Sequence, residues 1–192
     1  METSSEPTSS SEPTSSPDPP LEIIECGMDG DCLFHTLARA LDTDMKTIRN
    51  MLASSINRRN VNAFINIHKR AQQVLHVPGT YDFRQPRRLS VQAVRSIVRT
   101  PGTLYQGTDD TLQWYMKYTS IFSNVGFVIF NSYGLDYTQV LKRRHTDYYI
   151  LLFNDAYLSH WQLVYFKDCC MIKDVNIVMR EIKEWLTTQN TI

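Results

Sequence analysis

One change of period organises this chain: apolar residues recur at helical spacing up to Tyr118, and from Val125 they gather into short β-rich runs. A short strand, Leu21–Glu25, opens the ordered part, and the turn Cys26-Gly27-Met28-Asp29-Gly30-Asp31 follows it. Cys32–Leu41 then reads as a helix with Leu33, Phe34, Leu37 and Leu41 on its buried face and Asp31 at the N-cap position. Further helices are predicted over Asp44–Arg58, over Val61–Leu75, after a Ser90 cap, and after Thr108-Asp109-Asp110. Strands are predicted at Val125–Phe130, Asp147–Phe153 and His160–Phe166, with Gly134 and Asn154-Asp155 as breaks. Val175–Leu186 reads as a last helix. Helices first and strands late predict an α+β domain rather than repeated βαβ units.

The first twenty residues differ from the rest. SSEPTSS occurs at 4–10 and again at 10–16, and Pro17, Pro19 and Pro20 follow. Such a segment has no large apolar residues to offset chain entropy, so residues 1–20 are expected to be a disordered Ser/Pro-rich tail. Residues 21–192 are the size of one domain. Apolar residues make up 42% of the chain, which argues against disorder throughout.

Lys+Arg and Asp+Glu number 20 each, a balance unlike the basic excess of a nucleic-acid binder. The apolar runs are shorter than the ~20 residues a membrane helix needs, and the N-terminus carries no signal-peptide pattern. Cys26, Cys32, Cys169 and Cys170 therefore read as reduced thiols. A soluble monomer in the cytoplasm, or in the nucleus, is the expectation.

The chemistry lies at residues 27–35. A thiol becomes a nucleophile when its surroundings favour the thiolate, and a helix N-terminus and an adjacent imidazolium both do so. Cys32 is predicted in the first turn of a helix, after a turn whose backbone N–H groups can face an oxyanion. Gly27 and Gly30 permit that turn. The plainer alternative is a small buried side chain.

A thiol hydrolase also needs a histidine from elsewhere in the fold. His35 lies on the Cys32 helix, His68 in a polar helical stretch, and His76 and His145 in loops. His160 alone heads a strand, in Ser159-His160-Trp161-Gln162-Leu163-Val164. Gln162, two residues on, would stand on the same face and could accept the imidazole N–H.

Asp29-Gly30-Asp31-Cys32-Leu33-Phe34 resembles the signature of the ovarian-tumour (OTU) cysteine proteases, and His160-Trp161 resembles their downstream histidine and aromatic. The resemblance covers about residues 21–167, leaving 168–192 as a C-terminal helical extension. It implies a papain-like α+β fold, a small central sheet flanked by helices, with the nucleophile at the N-terminus of a central helix.

It also implies a cysteine-type deubiquitinase acting after the C-terminal glycine of ubiquitin or a ubiquitin-like protein. Polyubiquitin chains would be substrates, and neither cofactor nor metal is required. Cys32, His160 and Asp29 are then the catalytic residues, and Gly30 and Asp31 belong to the oxyanion and substrate loop.

This chain departs from the family pattern at Gln162, where Asp or Asn is common. The group that orients the histidine stays open among Gln162, Asp29 and a residue the sequence does not reveal. Trp161 is either a wall of the substrate channel or core filler. Asp109 and Asp110 either meet a basic substrate tail or serve as acids at a helix start.

Two other readings compete: a non-catalytic ubiquitin-binding OTU-like module, or a viral OTU protease that also processes a polyprotein. A metal site from Cys26, Cys32, His35 and Cys169 or Cys170 lacks any zinc-type spacing.

Overall fold

The structure, a computed structural model, describes residues 20–27, 30–74, 77–85, 88–104, 108–131, 138–155 and 160–189. The predicted tail, apart from Pro20, lies outside these residues, as do Asp29, His76 and Gly134. Among the described residues the order is β1 (Leu21–Ile24), α1 (Cys32–Ala40), α2 (Met45–Ser55), α3 (Val61–Val74), α4 (Val91–Arg99) and α5 (Asp109–Tyr118). Then come a 3-10 turn (Ser120–Phe122), β2 (Val125–Asn131), β3 (Gln139–Leu141), β4 (Tyr148–Asp155), β5 (His160–Phe166), β6 (Met171–Ile172) and α6 (Val175–Gln189).

The strands form one mixed sheet in the order β1-β5-β4-β2-β3, with β6 also paired to β4. Only the β2–β4 pair is parallel among these ladders; the others are antiparallel. Side chains of a strand alternate between faces, and here each face has its own core. Phe127, Ile129, Ile150, Leu152, Trp161 and Leu163 join residues of α1–α5 in the larger core. Val128, Phe130, Leu151, Val164 and Phe166 pack with Val178 and Ile182 of α6 in the smaller one. The sheet is thus held between a helical layer and a single helix, each burying one of its apolar faces.

Two expectations are corrected, and two short strands escape the sequence. Asn154 and Asp155, read as a break, are the last two residues of β4. They pair with Trp161 and His160 of β5, and a ladder partner outweighs the turn preference of Asn and Asp. β3 and β6 span three and two residues, too few to show a period. His68, placed by its neighbours in a polar stretch, is buried against Phe64 and Phe83 with ring centroids 4.4 and 5.3 Å away. Phe64 and His68 are one helical turn apart and share the inner face of α3.

Candidate active site

α1 is built to be buried. Leu33, Phe34 and Leu37 are fully enclosed, and Cys32 at its first position is only 7% exposed. Two hydrogen bonds tie the helix to the head of β5. The Trp161 N–H donates to Cys32 Sγ at 3.4 Å, and Thr36 Oγ1 donates to the Trp161 carbonyl at 3.2 Å. Residues separated by 129 positions thus meet, and the thiol lies against the backbone next to His160.

The His160 ring is held by the residue that follows β1. Its Nε2 lies 2.7 Å from Glu25 Oε2. The register explains why. Leu21 to Ile24 pair with Phe166 to Leu163, so one step further sets Glu25 opposite Gln162, on the face that Gln162 shares with His160. Gln162 Nε2 donates to the same Glu25 oxygen at 3.1 Å, and the Gly27 N–H donates to Oε1 at 2.9 Å. Partial desolvation pushes the Glu25 carboxyl up, but the Gly27 N–H and the His160 ring outweigh it and hold it below the usual carboxylate range. A Cβ at Gly27 would stand 2.8 Å from the His35 ring, so glycine lets that ring lie against the turn.

Gln162 is therefore corrected: its amide donates to Glu25 instead of accepting from the imidazole. Glu25 is the residue that sequence reasoning missed. The only signal was its place at the end of a strand, and the strand's partner could not be read from the sequence.

Asp31 also behaves differently from the expectation. It occupies the N-cap position of α1 but its side chain makes no cap bond. It is buried, with Oδ1 paired to Arg49 Nη2 and Oδ2 accepting from the Gly102 N–H at 2.9 Å. Arg49 Nη1 donates to the Val98 and Thr100 carbonyls, and the guanidinium carbon lies 4.0 Å over the Phe34 ring. Gly102 has φ +71°, a conformation that favours glycine at this turn.

The remaining assignments separate. Gly30 is exposed at the turn, and Asp29 lies outside the described residues. The Trp161 side chain is 0% exposed inside the larger core, so it fills the core and walls no open channel. Asp110 pairs with Arg70 at 2.9 Å, and burial raises the Asp109 carboxyl although Gln139 bonds to it. Among the described residues no three His, Cys, Asp or Glu side chains are gathered to hold a metal ion.

A buried thiol thus opens a helix against the backbone next to a strand-head histidine, and that histidine is tied to a carboxylate. No family model matches the chain, and no curated protein matches it in sequence. Solved structures do. An OTU domain in complex with ubiquitin superimposes with TM-score 0.55 at 11% identity, over 86% of this chain and 84% of that one. An OTU deubiquitinase from Wolbachia pipientis wMel bound to ubiquitin gives 0.48 at 12% identity, over 79% and 99%. The viral OTU domain protease from Farallon virus gives 0.41 at 16%, over 80% and 86%. The first of these carries the architecture, and the chain has the OTU-like, papain-like α+β fold.

Proposed function

We propose that the chain is a cysteine-type deubiquitinase that hydrolyses bonds after the C-terminal glycine of ubiquitin or a ubiquitin-like protein. The observation that carries this reading is the meeting of Cys32 and the His160 backbone neighbour, with His160 bound to Glu25. The OTU domain of like fold was solved with ubiquitin, which supports the substrate class.

Because Glu25 engages Nε2, the Nδ1 atom is the ring nitrogen left for the thiol. His160 takes the Cys32 proton, and the thiolate attacks the glycine carbonyl carbon. In this reading the N–H groups in the first turn of α1, which take no side-chain cap from Asp31, stabilise the oxyanion. The tetrahedral intermediate collapses, the C–N bond breaks, and His160 returns the proton to the leaving lysine amine. Water, deprotonated by His160, then hydrolyses the thioester and releases the substrate carboxylate and the free thiol. Glu25 fixes the tautomer and favours the imidazolium that forms in both halves.

Gln162 was the one feature favouring a non-catalytic binding module. The Glu25 carboxylate supplies the charge that Gln162 lacks, which favours the catalytic reading. The test is ubiquitin bearing a C-terminal electrophile, with a ubiquitin C-terminal fluorogenic substrate in parallel. Wild type is expected to be labelled at Cys32 and to turn over the substrate, and Cys32→Ala and His160→Ala to do neither. Turnover by Cys32→Ala would end the proposal.

A further inference from the structure

We propose that Arg49 is a positioning residue for the nucleophile: it draws the Asp31 carboxylate away from the N-terminus of α1 and leaves that helix end to the Cys32 sulfur. The inference rests on Cys32 being the reacting thiol.

An aspartate at an N-cap ordinarily accepts from a backbone N–H two or three residues on. The same molecule shows such a side-chain cap at Asp44 and at Ser90. Asp44 accepts from the Thr47 N–H at 2.9 Å, and Ser90 from the Ala93 N–H at 3.1 Å. Asp31 has ψ 13° where Asp44 has 154°, and its two oxygens go to Arg49 and Gly102.

Arg49 is itself immobilised. It is 1% exposed, it holds the Val98 and Thr100 carbonyls, and it stacks on Phe34. One side chain of α2 thereby fixes the residue before the nucleophile, the turn after α4 and the inner face of α1.

The electrostatic consequence concerns the sulfur. A carboxylate capping α1 would occupy its first-turn N–H groups, compensate the positive end of the helix, and stand one residue from a thiolate. Paired with the guanidinium, that charge is neutralised and turned away. Among the described residues, the titratable groups on the elements that carry or flank Cys32 include His160 of β5, Glu25 after β1, Asp155 across from His160 on β4, and His35 one turn along α1. A substitution at Arg49 changes none of these.

The experiment follows alkylation of Cys32 by iodoacetamide as a function of pH on the full chain, read at the Cys32 peptide by mass spectrometry. Arg49→Met is expected to move the midpoint to higher pH and to slow the reaction about tenfold at neutral pH. Arg49→Met with Asp31→Asn should return both to near wild type, because no carboxylate then needs holding. A midpoint unmoved by Arg49→Met, or a double variant as slow as the single one, overturns the proposal.

If circular dichroism shows Arg49→Met unfolded, Arg49→Lys with and without Asp31→Asn decides by the same two criteria. Ubiquitin takes no part in the assay. Loss of the ubiquitin reading would therefore show as inert ubiquitin probes beside an intact alkylation contrast.

Discussion

α1 and α2 both begin after an aspartate, and the two aspartates do opposite things. Asp44 sits in extended backbone and caps α2 through the Thr47 N–H and hydroxyl. Asp31 sits outside that conformation, makes no side-chain cap bond to α1, and is buried against Arg49. Capping is the locally stable choice for a helix start, typically worth about 1 kcal/mol. A helix that forgoes it needs its end for something else, or needs the aspartate elsewhere. Here the helix that takes no cap from its aspartate is the one that opens on a cysteine beside the head of β5. The contrast separates a helix end finished by its own aspartate from one whose aspartate is committed elsewhere.

The largest expected effect breaks the α1 side of that contrast. Asp31→Ala leaves the Arg49 guanidinium in the interior without its carboxylate, and removing one partner of a buried pair costs about 3 kcal/mol or more. Urea denaturation should show that loss, whereas a cost near that of an ordinary cap would mean that the pair is not a buried anchor.

Next comes a change that touches chemistry and spares the fold. Glu25→Gln should slow labelling of Cys32 by the ubiquitin probe by about tenfold to a hundredfold, because the imidazolium loses its counter-charge and tautomer control. Stability should barely move, since the Glu25 side chain is 42% exposed. The sign with pH is fixed. A carboxyl held below its ordinary range contributes above that range and loses the contribution only as the pH falls through the lowered value. The small difference in melting temperature between wild type and Glu25→Gln should therefore persist through neutral pH and vanish in acid. A difference that grew on acidification would refute the Glu25–His160 link.

Asp44→Ala is the converse. It should lower stability by about 1 kcal/mol and leave the rate of Cys32 labelling unchanged. A slower rate would show that α2 transmits its end to the site, and the separation between the two helices would fail.

The same contrast marks what a sequence can disclose. Cys32 and its turn are legible because the signal is local: glycine and aspartate, then a helical period beginning at the cysteine. His160 is legible because it heads a β-rich run. Glu25 is not, since its role depends on the register of β1 against β5, between residues 135 apart.

The use of Asp31 is hidden for a related reason. N-cap rules read three or four neighbouring residues, while the partner that overrides them is Arg49 on the next helix. The paired ends of β4 and β5 escape likewise, because Asn154-Asp155 reads as a turn until a partner strand is present. Local rules give the elements and the candidate nucleophile; the charged side chains placed near it come from ladder register and burial.

The smallest effect sharpens the assignment of the histidine's partner. Gln162 donates to Glu25 Oε2 at 3.1 Å, and Glu25 keeps the Gly27 N–H and the His160 ring without it. Losing one of three anchors on a half-exposed carboxylate should cost a net hydrogen bond or less, about 0.5–1 kcal/mol, hence about a twofold to fivefold slower labelling for Gln162→Ala. Combined with Glu25→Gln, the same substitution should add almost nothing, because Gln162 acts through Glu25 and residues in one network do not contribute independently. A Gln162→Ala rate as low as that of Glu25→Gln, with full additivity in the double variant, would instead make Gln162 the principal orienting group and reduce Glu25 to a bystander at the strand end.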